Sequence, residues 1–223
     1  MNLKSAIKKL MALSDEEFAW YHINSDPIEG KISHDIRKEI IYKSLNCGYE
    51  QAEILRYNYK LPDKDLDLIK LCEHLGIQVR EDYNSNVEDL IYFGTYEYPG
   101  IVTIYMDNIQ KGIDIIEAQN LVELTKENLR DIVLAHEIFH HIESKNHDLF
   151  VNTYRIKLWK LGPYTHRSPL LCTGEIAGMA FARRLLKLQF CPNVLDIILL
   201  YPHDKIQAEK LYQQILRLCE TSI

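Results

Sequence analysis

Apolar positions recur along most of this chain at spacings of three and four, the period of a helix with one buried face. The clearest run is Leu129, Ile132, Val133, His136, Phe139, His140 and Glu143, with no Pro or Gly from Leu129 to Lys145. Thr125 precedes it as a good N-cap, and Glu127 places negative charge in the first turn, so a helix is predicted to begin there. Ser14-Asp15-Glu16-Glu17 has capping-box spacing ahead of Phe18-Ala19-Trp20-Tyr21 and predicts a short helix, broken by Asp26-Pro27 and Gly30. Ile36, Ile40, Ile41 and Leu45 predict a second that ends near Cys47-Gly48, and Glu50 to Tyr59 a third, stopped by Leu61-Pro62. Asp63-Lys64-Asp65-Leu66-Asp67 has the acidity of a calcium loop, but Leu68 stands where the loop needs Gly. It reads instead as the acidic start of a helix with Leu68, Leu71, Cys72 and Leu75 on its apolar face and Gly76 at its end.

The period then falls to two. Ile77-Gln78-Val79-Arg80, Ile91 to Tyr96 and Ile101 to Met106 read as strands, the last two joined by Pro99-Gly100, which predicts a small antiparallel sheet. After Lys145 the chain is polar and irregular until Ser168-Pro169, read as the N-cap and first position of another helix through Leu170, Leu171, Glu175, Phe181, Leu185 and Leu186. On it, Gly174, Gly178 and Ala182 form a small-residue stripe that lets a neighbouring helix come close. Val194–Leu200 and Lys205–Cys219 read as two final helices. The class expected is α+β, mostly helical with a small antiparallel sheet.

Candidate chemistry lies in the long central helix. His136-Glu137-Ile138-Phe139-His140 is an H-E-x-x-H sequence, and residues four apart lie one above the other on a helix. His136 and His140 can offer two imidazoles to one metal ion, with Glu137 beside them as general base on bound water. Paired core histidines are the plainer explanation of one such residue; two at this spacing with Glu after the first favour a metal. A hydrolytic zinc site needs a third protein ligand. His147 is one residue out of the extended H-E-x-x-H-x-x-G-x-x-H register, and Glu143 and Asn146 break that scheme. His166 remains a candidate, and Glu175 is the stronger one, being the only acidic residue between Asp148 and Asp196.

Composition narrows the alternatives. With 223 residues, 47% of them hydrophobic and 26% charged, the chain has the make-up of an ordinary globular protein. The run Ile197–Leu200 is too short to span a bilayer, and the N-terminus lacks an apolar signal region, so a cytoplasmic location and no membrane partner are expected. Five dispersed cysteines without a C-x-x-C pair fit buried free thiols. A net charge of −6 makes direct nucleic-acid binding an unfavoured function, though it leaves room for a local basic patch.

Beyond the H-E-x-x-H sequence, the chain resembles the ImmA/IrrE-type metallopeptidases over residues 50–192. The likeness is carried by the Leu66–Val79 segment, by Thr103-Ile104-Tyr105-Met106-Asp107, by Leu134-Ala135-His136-Glu137, and by Glu175 with Phe181-Ala182-Arg183-Arg184-Leu185-Leu186. It departs at Phe139, where the family commonly has Gly, and at Ala177, where it often has a second acidic residue. The resemblance implies a gluzincin-like core with the motif on a central helix. It implies a metallopeptidase domain over residues 46–223, including C-terminal helices, after an N-terminal helical extension of residues 1–45. Zinc on His136, His140 and Glu175, with Glu137 as catalytic base, is the expected site, and Tyr164 and His166 are the expected oxyanion or substrate residues. The implied activity is regulatory proteolysis inside the cell, with a helix-turn-helix repressor as the type of substrate. Two other classes compete: a catalytically silent metallopeptidase-fold protein that sequesters a partner, and a DNA-binding regulator using Ile36–Leu61.

Overall fold

The computed structural model describes residues 1–83 and 91–221. Helices α1 (Leu3–Met11), α2 (Asp15–Ser25), α3 (His34–Tyr59) and α4 (Leu68–Leu75) precede strands β1 (Gln78–Asp82), β2 (Gly94–Glu97) and β3 (Ile101–Tyr105). Helices α5 (Met106–Gln119), α6 (Lys126–Lys145) and α7 (Phe150–Thr153) follow, then strands β4 (Ile156–Leu161) and β5 (Tyr164–Ser168). Helices α8 (Leu171–Leu186), α9 (Leu195–Leu200) and α10 (Lys205–Thr221) complete the chain, with a 3₁₀ turn at Glu29–Lys31 and another at Pro192–Val194. The architecture is α+β and mostly helical.

Several starts are written locally. Ser14 Oγ accepts from the Glu17 amide at 3.2 Å while the Glu17 carboxylate accepts from the Ser14 amide at 2.7 Å, closing a capping box at α2. Thr125 and Asn128 do the same for α6, at 3.2 and 3.1 Å. Asp67 caps α4 and Gly76, at φ +72°, ends it. The N-terminal α1 was not anticipated; Asn2 caps it and Leu3, Ala6, Ile7 and Leu10 bury one face.

Four expectations change. The stretch after Lys145, read as irregular, carries α7 and the paired strands β4 and β5. The sheet is mixed: β3 is central, with β2 antiparallel on one side and β1 parallel on the other. Alternation along a strand says which face is buried, here Val102 and Ile104 of β3, but not which way a neighbour runs. The helices expected on either side of Gly48 are one, because α3 continues through it; a Cβ there would sit 2.1 Å from the Ala177 carbonyl oxygen of α8. The proposed division after residue 45 therefore falls inside α3. Ser168-Pro169 does not start α8, because Ser168 still belongs to β5. Instead Asp26, from the end of α2, accepts the Cys172 amide at 3.0 Å and caps α8 from 146 residues away.

Helices α3, α6 and α8 form the centre, with Phe139 of α6 and Phe181 of α8 packed at 5.7 Å between ring centroids. The three-stranded sheet and α4 cover one side of α6. A second cluster, including Trp20, Ile41, Ile156, Leu170 and Ile176, joins α2, α3, α8 and β4. All five cysteines are buried and free. Among the described residues no helix is long and apolar enough to cross a membrane.

Gly48→Ala should therefore lower stability by about 1–3 kcal/mol, since an added methyl meets backbone that has no rotamer to move. Chemical denaturation checks it; an unchanged midpoint would mean that α3 and α8 are not held at this separation.

Candidate metal centre

Helix α6 carries His136 and His140 on one face, and α8 crosses against that face. Crossing so closely requires positions without side chains. A Cβ on Gly178 would lie 2.8 Å from His136 Nδ1, and one on Gly174 would lie 3.1 Å from Glu143 Oε1. The stripe read from the sequence thus lets α8 deliver Glu175 to the histidines. His136 Nε2 lies 3.0 Å from His140 Nε2 and 3.4 Å from Glu175 Oε2, and His140 Nε2 lies 3.8 Å from Glu175 Oε1. Tetrahedral zinc with arms of about 2.0–2.1 Å sets its ligand atoms roughly 3.3 Å apart. Three donors of the right kind converge at that scale, so these residues fit a divalent ion, and no other such group occurs among the described residues.

The surroundings prepare the ligands. Glu143 Oε2 accepts from His140 Nδ1 at 2.8 Å, fixing the proton on Nδ1 and leaving the Nε2 lone pair toward the centre. His136 Nδ1 is buried against Gly178 and has no hydrogen-bond partner among the described residues. Burial opposes charge on His136, but the Glu175 carboxylate outweighs it and raises the pKa to about 9. Burial likewise pushes Glu175 up, while the hydrogen bond and charge of His136 bring it down to about 2. The pair behaves as a carboxylate holding a cation.

Glu137 is buried beside this centre, 7% exposed, and does not belong to the ligand group. Burial raises its pKa, and His136 and His140 partly reverse the shift. A carboxyl that takes a proton more readily than usual suits acid–base work. Strand β2 passes directly over it: a Cβ on Gly94 would fall 2.9 Å from Glu137 Oε1. His141, one position beyond His140, faces the other way, buried edge-on to the Tyr96 ring at 5.5 Å.

Two hollows meet over Glu137 and His140. One, of about 360 Å³, has apolar walls that include Phe93, Ile132, Met179, Leu195 and Leu199. The other, of about 420 Å³, is more polar, with Tyr96, Glu143, Ser144 and Asn152. The Tyr96 hydroxyl contacts Ser144 Oγ at 2.8 Å. Tyr164 and His166 line neither hollow. They lie in β5, where Trp159 of β4 stacks on the His166 ring at 5.2 Å and meets the Tyr164 ring at 5.4 Å.

Asp196 was missed. It stands in the wall of the apolar hollow, and burial raises its pKa, with His22 partly offsetting and Glu175 adding to the shift. Its signal was there to read: the one charged residue in the run Val194–Leu200. The departures at 139 and 177 also find reasons. Phe139 is core packing against Phe181, and Ala177 is fully buried in the core, with its backbone carbonyl against Gly48 of α3.

Comparison with family models, with curated proteins and with solved structures finds no match to this chain.

A divalent ion at this centre must displace any proton on His136, whose pKa Glu175 raises, so affinity for added zinc should rise with pH below that pKa, by up to about tenfold per unit, and level off above it. Chelator competition between pH 6 and 8 measures this. A flat profile would show that His136 holds no displaceable proton over that range.

Proposed function

We propose that this chain is a zinc-dependent endopeptidase of the ImmA/IrrE type, with a gluzincin-like core. The observation that carries the proposal is the convergence of His136, His140 and Glu175 beside a buried, non-ligating Glu137 in an open groove. A zinc ion held there supplies Lewis acidity, acidifying water and polarising a peptide carbonyl. The chain's own residues do the rest. Glu137 takes the proton of the attacking water and passes it to the leaving amine, a role its raised pKa favours. Glu143 keeps the His140 ring in its ligating orientation. The apolar hollow offers room for a substrate side chain, and Tyr96 supplies a phenol to the polar end of the groove.

The substrate is proposed to be a protein cut in regulatory proteolysis inside the cell, with a helix-turn-helix repressor as the type that the family resemblance implies. The resemblance carries that part of the reading, and the groove carries the peptide.

Glu137→Gln should retain about one zinc per chain while peptide-bond cleavage of an unfolded protein falls by at least about a hundredfold. Glu175→Ala should instead weaken zinc retention more than tenfold, an effect at least as large as losing an outer-shell partner. Metal analysis and cleavage assays on the same preparations read both. Zinc-loaded wild type that cleaves no unfolded protein and no repressor would point to a silent partner-binding protein.

A further inference from the structure

The segment between the two ligand-bearing helices contains a β-hairpin that the metal centre does not use. From Leu149 to Gly174 there is no acidic residue, while Arg155, Lys157, Lys160 and Arg167 supply four cations. This stands against a net charge of −6 for the chain. Among the described residues none of the four forms a salt bridge; the Arg155 and Arg167 guanidinium groups reach only backbone carbonyls.

Register sorts the side chains onto two faces, because directly paired residues share a side. Trp159 pairs with His166 and Leu161 with Tyr164, making one face aromatic and apolar. Lys160 pairs with Thr165 and Lys157 with Arg167, making the other face cationic. The irregularity between Lys157 and Trp159 brings Lys157 onto the same side as Lys160. Ile156 and Leu158 root the hairpin in the second core cluster. Its far end does not pack: Trp159 is 49% exposed, Tyr164 58% and Leu161 75%, around the turn at Gly162-Pro163.

Against the expectation of no membrane partner, we propose that the β4–β5 hairpin docks this protein on a bilayer surface containing anionic phospholipid. Trp and Tyr favour the boundary between water and lipid, since each has an apolar body and a polar tip. Leu161 at the turn enters the acyl boundary. Lys157, Lys160 and Arg167 extend their stems and meet the headgroups. The chain's acidic excess does not cancel this attraction, because charges beyond about 8 Å are screened at physiological salt. A nucleic acid fits less well: stacking and phosphate contact need aromatics and cations on one face, and here they lie on opposite faces. The site is peripheral and independent of the peptidase reading.

The chain has two tryptophans, and Trp20 is 4% exposed, so a change in emission on binding reports Trp159. Wild-type protein titrated with vesicles of phosphatidylcholine containing about 30 per cent phosphatidylserine should shift its emission to the blue. Pure phosphatidylcholine vesicles should give little shift. Lys157→Gln with Lys160→Gln should lower vesicle affinity about thirtyfold, two surface charges' worth. Leu161→Ser, at an exposed position that the fold does not need, should lower it severalfold. Equal shifts on both vesicle types, or no shift on either, would overturn the proposal. So would quenching by an oligonucleotide without a vesicle response, or a dimer that Leu161→Ser dissociates.

Discussion

The structure depends on how closely α8 approaches α3 and α6. Side chains normally hold helix axes about 8–10 Å apart, and a shorter distance needs contact positions with nothing beyond Cα. Gly48 of α3 lies against the α8 backbone at Ala177, and Gly174 and Gly178 of α8 lie against Glu143 and His136 of α6. The same contacts that fill the core therefore place Glu175 within 3.4 Å of His136. Packing and ligand geometry are one constraint here, and neither relaxes without the other.

Electrostatics at the centre follow from that approach. Glu137, Glu143, Glu175 and Asp196 surround two imidazoles, an excess of negative charge that a cation relieves. The four carboxyl groups are kept distinct by their surroundings. Glu143 is tied to His140 Nδ1, Glu175 is drawn down by His136, and burial raises Glu137 and Asp196. Separation of this kind is what the proposed division of ligand, orienting and proton-transfer roles requires.

The N-terminal helices buttress α8. Asp26 accepts from its Cys172 amide three residues before Glu175, so the N-terminal helices help fix a candidate ligand. Asp15 accepts from Arg183 at 2.7 Å and from the Tyr49 hydroxyl, and His22 meets Asn193 at 2.7 Å. These are buried or half-buried polar contacts, where losing one partner strands the other. Residues before 45 thus serve the same core as the metal centre.

Local physics made much of this legible in the sequence. The capping box at Ser14, the Thr125 N-cap, the Asp67 and Gly76 helix ends and the apolar stripe of α6 depend on neighbours within a few residues. So does the pairing of His136 with His140, since helix pitch alone stacks residues four apart. Glu175 was reachable as the only acidic residue between Asp148 and Asp196. Other features belong to the tertiary structure. Gly48 looked like a stop signal and is a contact point, because the reason for its missing side chain lies 129 positions away at Ala177. The direction of β1, the cap from Asp26 and the place of Asp196 in the cleft wall likewise join residues far apart in the chain. A one-dimensional pattern records what each residue prefers; which distant backbone it must make room for is settled only when the helices pack.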